Sequence, residues 1–387
     1  MNVPFPRPPF SSNPPKRPNT ERTILCFSHL RWNFVHQRPQ HLLTEAASTY
    51  RVYFIEEPEF APGAPHFRMQ VSEAGVVVLT PVLDPASDHL REMRALTESL
   101  HRSLRGSLLV HWFYTPMALR FARDLPCDLC VYDCMDELSA FRFAPPELMA
   151  LERELLACSD LVFTGGQSLF AAKRSLHPDV HCFPSSVDVR HFGQARAPLA
   201  DPADQAGIAH PRVGFAGVID ERIDLGLIAS ASAALPDVQF VMIGPTAKID
   251  PASLPQAANI HWLGRKDYDA LPAYMANWQA AWMPFALNEA TRFISPTKTP
   301  EFLSAGLRVV STAVADVVAG YARGGIVSIA DAGTVADSLR DALSPPPADW
   351  LRKVDRHLSL MSWSGTWQAM DALLASRMHS AQEAAHV

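Results

Sequence analysis

AAWMPFALNEATRFISPTKTPEFLSAGLRVVS, residues 280–311, reads as a single strand–loop–helix–strand unit. Residues 280–283 are a short apolar run and residues 308–311 a β-branched one. Between them a polar loop leads to a helix that starts around Pro296 or Thr297 and stops at Gly306, the usual glycine terminator. Short buried strands alternating with helices are the signature of a parallel sheet covered by helices on its faces.

The same alternation continues outward from this unit. Strands are predicted at 213–217, 238–244 and 260–263 before it and at 326–328 after it, with helical patterns between. Before residue 212 lies a stretch, 196–211, whose Ala, Asp, Pro and Gly content suits a linker. Upstream of that the pattern has already run once, with strands at 23–28, 52–55, 76–79, 108–111, 129–132, 161–164 and 181–183. Leu90, Met93, Leu96, Leu100 and Leu104 recur at helical steps and make one apolar face. Trp363, Trp367, Met370, Leu373 and Leu374 form a stripe on a last helix, 360–378, expected to pack back on the first unit. The predicted fold class is α/β: two tandem Rossmann-like, doubly wound domains, 20–195 and 212–359, facing a cleft. In open parallel sheets ligands sit beyond the carboxyl ends of the strands, so strand-end residues of both halves should face that cleft.

Composition agrees with an ordinary globular chain. The 387 residues are 48% hydrophobic and 19% charged, which is enough apolar surface for more than one core. Thirty-four Lys and Arg against 40 Asp and Glu leave a net charge of -6, which argues against nucleic acid as a partner and makes any phosphate site local. Six cysteines are too sparse for a disulfide scaffold and suit a reducing, cytoplasmic setting. The most apolar window, 305–322, is broken by Arg308 and Asp316, so a membrane span is not predicted, while peripheral membrane contact stays open. Residues 1–19 carry seven prolines and no acid, and read as a flexible tail. Cys127-x-x-Cys130 has no second pair at zinc spacing, so no metal is expected. Asp267-Tyr268-Asp269 opens an apparent helix, 268–278, where acidic residues serve as a cap. Neither a Walker lysine motif nor Gly-x-Gly-x-x-Gly is present, and Thr164-Gly165-Gly166-Gln167-Ser168 fails the pattern of a hydrolase elbow.

Several residues fit anion and sugar chemistry. A loop-to-helix junction offers free backbone N–H groups to a diphosphate. Lys298 sits in the first turn, where a cation opposes the helix dipole unless an anion is near. The Glu301 carboxylate can accept from both hydroxyls of a ribose, or simply favour an N-terminal turn while Lys298 is solvated. Arg222, after the predicted strand at 213–217, is either a diphosphate clamp or the ion-pair partner of Glu221 or Asp224. In the first half, Arg31, Asn33, His36, Gln37 and Arg38 crowd a loop after the first strand and call for water or a ligand, whereas Trp32 and Phe34 can plug a core. Asp133 and Asp136 can position acceptor hydroxyls or cap the next helix.

The 284–306 segment resembles the donor-binding motif of the retaining GT-B glycosyltransferases, which use a nucleotide-diphosphate sugar. Counting back eight from Glu301 to the usual place of a first glutamate reaches Phe293. The chain is instead similar to a bacterial subgroup with an Asn-Glu-x-Thr-Arg loop, a Pro-x-Lys turn and a Glu-Phe/Tyr-Leu helix, many of whose members act in cell-surface polysaccharide synthesis. Residues 28–43 resemble the opening of the same subgroup, and residues 185–189 its architectural crossover segment.

The resemblance implies donor contacts at Gly217, Arg222, Asn288, Thr291, Arg292, Thr297, Lys298 and Glu301. It implies acceptor contacts at Arg31, Asn33, Gln37, Arg38, Asp133 and Asp136. His111, read as a strand end, and Glu289 would touch the transferred sugar as the catalytic pair of positions. The implied partners are a nucleotide-sugar donor and a saccharide or lipid-linked glycan acceptor, with no cofactor and no metal. Two other classes share the fold: a sugar-nucleotide epimerase, and a silent scaffold suggested by the missing glutamate.

Overall fold

The computed structural model describes residues 22–385, with side chains through residue 379. The proline-rich tail predicted at 1–19 lies outside the described residues. Among the described residues fifteen strands form two sheets. The first holds β1 (Arg22–Phe27), β2 (Arg51–Ile55), β3 (Glu59–Phe60), β4 (His66–Val71), β5 (Val77–Leu83), β6 (Leu108–Phe113), β7 (Leu129–Cys134), β8 (Leu161–Thr164) and β9 (Val180–Cys182). Its order is β3-β5-β2-β1-β6-β7-β8-β9, all parallel, with β4 antiparallel on β5. The second holds β10 (Arg212–Ala216), β11 (Gln239–Ile243), β12 (Ile260–Gly264), β13 (Ala280–Met283), β14 (Arg308–Ser311) and β15 (Val327–Ile329). Its order, β12-β11-β10-β13-β14-β15, is that of a doubly wound dinucleotide-type sheet.

Residues of one strand alternate between the two faces of a sheet, and here both faces are covered. Ile24 and Cys26 of β1 pack with Trp112 and Trp367, while Leu25 and Phe27 pack on the other side with Phe113 and Leu155. Double burial is why β1 reads as an unbroken apolar run rather than as alternating polar and apolar residues. The last helix, Trp363–Ala385, lays Trp363, Trp367, Met370, Leu374 and Met378 against this first sheet.

Two stretches differ from the sequence reading. β3 and β4 have no counterpart in it: β3 is two residues long, and no residue of either strand is buried, although His66–Val71 alternate polar and apolar side chains. Residues 196–211, of linker composition, are packed. Gln205 is fully buried, donates to Asp201 Oδ1 at 2.8 Å and accepts from Trp278 Nε1 at 2.8 Å. Asp201 in turn holds the buried Arg212 guanidinium at 2.7 Å, tying the segment to the start of β10.

Candidate functional site

Each sheet has a switch point, a place where the connections leave two neighbouring strands in opposite directions and a crevice opens beyond their carboxyl ends. In the first sheet it lies between β1 and β6, in the second between β10 and β13. Loops at the carboxyl ends of the two sheets meet. Arg265 donates to the Asn33 carbonyl at 2.9 Å and its guanidinium lies over Phe34. The Arg142 amide donates to Glu221 at 3.1 Å, and the Ser168 amide to Asp316 at 3.0 Å. Gly166 is required here, since a Cβ on it would stand 2.1 Å from Asp316 Oδ2 and 2.6 Å from Ser295 Cβ.

On the second-sheet side, Gly217 follows β10 and accepts the close approach of Gly244, on which a Cβ would stand 1.7 Å from the Gly217 carbonyl. Arg222 donates through Nε and Nη2 to Asp220, at 2.9 and 2.7 Å. Its partner is thus neither of the two carboxylates the spacing offered, Glu221 and Asp224. Beyond β13, Asn288 and Thr291 tie the loop to itself: the Asn288 amide donates to Thr291 Oγ1 and the Thr291 amide to Asn288 Oδ1. Thr291 is buried and its hydroxyl is used internally, so the structure corrects its donor-contact role to one of shaping the loop. Asn288 Nδ2 donates to the Glu221 carbonyl at 3.0 Å, linking this loop to the one that carries Arg222. Glu289 and Arg292 are exposed and lie 3.5 Å apart, free to move toward a ligand.

Thr297 stands at the N-cap of the helix Lys298–Ser304 without a side-chain cap bond. Lys298 Nζ donates to both oxygens of Glu301, at 3.0 and 2.8 Å, and Glu301 is only 4% exposed. Lys298 is therefore not a solvated surface lysine. Burial raises the Glu301 carboxyl above its ordinary range, and Lys298 pulls it back down.

The first-sheet residues divide. Arg38 and Asp133, both predicted to touch an acceptor, are a fully buried pair. Arg38 Nη2 lies 2.9 Å from Asp133 and Nη1 donates to the Phe183 carbonyl at 2.7 Å. They hold the loop and are closed to ligands. Arg31 is engaged by Glu56 and the Pro58 carbonyl, and Asn33 Nδ2 by Gln70. Gln37 stands at the N-cap of the helix Arg38–Ala46. Asp136, just past β7, does face the gap: Arg222, Asp220 and Lys248 of the second half are its charged neighbours, and burial lifts its carboxyl to about 6.

His111 is the clearest correction. β6 continues two residues beyond it, to Phe113, so His111 is mid-strand rather than strand-end. Its ring stands edge-on to Phe27 at 5.5 Å and against His101 at 5.8 Å, in the helix layer away from the cleft. It cannot touch a sugar bound between the sheets.

The cleft histidine is His29, which the sequence reading passed over although it stands two residues past the end of β1 at the switch point. Its Nδ1 is buried without a partner, and burial together with Lys248 lowers it to about 4, so it is neutral at pH 7. Also missed were Lys248 and Phe141, and Tyr268, which lies stacked between His36 at 4.4 Å and His191 at 4.2 Å. Asp267 stands at the N-cap of a single helical turn, Tyr268–Ala270, that runs into the short helix Leu271–Met275, so the Asp267-Tyr268-Asp269 segment does open a helix, without a side-chain cap bond, while its Tyr268 supplies the stack. No group of three or more His, Cys, Asp or Glu among the described residues is placed to hold a metal. No helix among them is long and apolar enough to cross a membrane.

Two doubly wound sheets meeting at their carboxyl ends define the GT-B glycosyltransferase fold. The sucrose-phosphate synthase of Thermosynechococcus elongatus superposes with a TM-score of 0.69 at 14% identity, over 93% of this chain and 100% of that one. HepE of Anabaena, solved in complex with UDP and glucose, gives 0.69 at 14% identity over 92% of this chain and 100% of that one. Trehalose-6-phosphate synthase of E. coli, bound with UDP-2-fluoro glucose, gives 0.64 at 12% identity over 92% and 99%. In sequence, the chain is 25% identical over 233 residues to TuaH of Bacillus subtilis (strain 168), a candidate teichuronic acid biosynthesis glycosyltransferase. That similarity covers 56% of this chain and 58% of the length of that relative. No protein-family model matches the chain.

Proposed function

We propose that this protein is a glycosyltransferase that moves a hexosyl group from a nucleotide-diphosphate sugar to a saccharide or lipid-linked acceptor, with retention, in cell-surface polysaccharide synthesis. The observation that carries the proposal is Arg222, held broadside by Asp220 at the β10–β13 switch point and turned toward Asp136 of the other half. A guanidinium there can take a diphosphate, while the Lys298–Glu301 pair can take phosphate and ribose hydroxyls. The names of TuaH and of the UDP-bound HepE support the same reading.

In the proposed reaction the bond from the anomeric carbon to the β-phosphate oxygen breaks. The acceptor oxygen bonds to the same face of the sugar, and its proton passes to the departing phosphate oxygen. Arg222 and Lys298 stabilise the charge that develops on that phosphate, so the chemistry needs no metal and no protein base. Glu289 and Asn288, on the loop beside Arg222, are the proposed sugar contacts. A lipid-linked acceptor would bring the chain to the cytoplasmic face of a membrane as a peripheral protein.

The test is a thermal-shift series with UDP-, GDP- and ADP-sugars, followed by incubation of the stabilising donor with acceptors and NMR of the product. Stabilisation and an unchanged anomeric configuration are expected. Inversion would remove the mechanism, an epimer formed from donor alone would make the protein an epimerase, and no shift with any donor would leave a silent scaffold. Activity should survive EDTA undiminished.

A further inference from the structure

We propose that Lys248 is a further pyrophosphate-binding cation of this site, in addition to Lys298, acting with Arg222 across the ring of Phe141; the assignment rests on the donor reading above. Three observations carry it. Lys248 Nζ lies 4.7 Å and Arg222 Cζ 5.3 Å from the centroid of the same Phe141 ring, so two cations from different loops of the second sheet converge on one residue of the first. Like charges gathered this closely suit an anion between them. Arg222 is neutralised by Asp220, whereas no carboxylate among the described residues comes within ion-pair distance of Lys248.

The backbone also commits Lys248 to this place. Its φ of 59° is left-handed, a conformation a lysine rarely adopts and one that concentrates at functional sites. The loop is clamped into it from below: the Ile219 amide donates to the Pro245 carbonyl at 2.9 Å and the Ala247 amide to the Ile219 carbonyl at 3.0 Å. These bonds join the loops after β10 and β11, so Arg222 and Lys248 arrive on the same rim as a rigid pair. Facing them from the first sheet are His29 and Asp136. His29 is neutral and brings no competing cation. Phe141 covers the pair in the structure, and an incoming pyrophosphate replaces the ring's contact with two charge-assisted hydrogen-bond donors.

Calorimetric titration of the full chain tests this with four probes: UDP, inorganic pyrophosphate, uridine and glucose 6-phosphate. Lys248→Gln should weaken UDP and pyrophosphate by about tenfold, the worth of one hydrogen bond to a charged group. Uridine binding should not change, and Lys248→Arg should restore UDP affinity to within about threefold of the parent. Lys248 is exposed, so both variants should melt with the parent. A UDP affinity within twofold of the parent in Lys248→Gln overturns the assignment. So does a loss confined to glucose 6-phosphate, which would make Lys248 an acceptor-phosphate residue. If the parent itself binds neither UDP nor pyrophosphate, the donor reading falls first and this one with it.

Discussion

Arg38 donates through Nε to both Asp133 oxygens at 3.1 Å and through Nη1 to a backbone carbonyl, and neither side chain reaches solvent. Removing one partner of such a pair leaves a buried, uncompensated charge. Arg38→Met should therefore cost about 3–5 kcal/mol in chemical denaturation, and adding Asp133→Leu should recover a large part of it. A double variant no more stable than the single one would show that the pair is not the source. The pair at Lys298 and Glu301 is different in kind, because it stands at the cleft. Glu301→Gln and Lys298→Ala should each weaken binding of the stabilising nucleotide sugar about tenfold or more while the chain stays folded. Unchanged affinity in both, by calorimetry, would take that helix out of the site. From sequence, Arg38 and Lys298 were both candidates, each a cation close to a strand-end loop. What separates them is that a carboxylate 95 positions away, Asp133, closes over one of them.

Elements that the sequence showed only as short helical or polar pieces build the contact between the two halves. Tyr268, on a single turn after β12, stacks between His36 of the first half and His191 of the segment that crosses over, while His41 stacks on Trp363 at 4.5 Å. Burial, with Lys298 as the next cause, lowers His36 to about 4; Lys298, Asp269, His191 and Asp188 are its charged neighbours. His41, buried more deeply, is lowered too. In the unfolded chain these rings titrate near 6.5, so between about 6.5 and 4 the unfolded state binds more protons than the folded one. Their contribution is complete above 6.5 and is lost as the pH falls through that window. Melting temperature should drop across it, and His36→Phe, which keeps the stack but cannot titrate, should flatten the drop. An identical pH profile in the variant would exonerate His36. None of this was legible in the polar stretch 31–38, where five polar groups suggested a ligand, because the partner ring lies more than two hundred residues away.

For the whole molecule, the last helix decides whether the first sheet is covered. Trp367 is buried against Trp112 and Tyr50, with ring centroids at 6.0 and 5.8 Å. Trp367→Ala should cost about 3–5 kcal/mol, read as a fall in denaturation midpoint; a cost under 1 kcal/mol would mean the helix is dispensable. The two halves approach closely at Gly166. Adding one methyl there, Gly166→Ala, drives a carbon into Asp316 and Ser295 and should open the cleft, seen as a larger radius of gyration in solution scattering. An unchanged radius together with full donor affinity would mean that the contact yields locally and does not set the spacing of the sheets.

The sequence by itself determined the repeated strand–helix alternation, the break between its two runs, the stripe of the final helix, the strand-end loop that carries Arg222 and the helix start that carries Lys298 and Glu301. These are local quantities: apolar runs of strand length, helical spacing, a glycine stop after residue 305. Only the tertiary structure decided which polar groups remain open to a ligand. It buried Arg38 against Asp133, turned His111 into the helix layer by extending β6 two residues, and brought Lys248 and Phe141 to Arg222. The reason is that a charged or aromatic side chain carries no mark of its partner in its own neighbourhood. Its fate depends on which strand end the sheet order places opposite it, and that order arises from packing distant segments together.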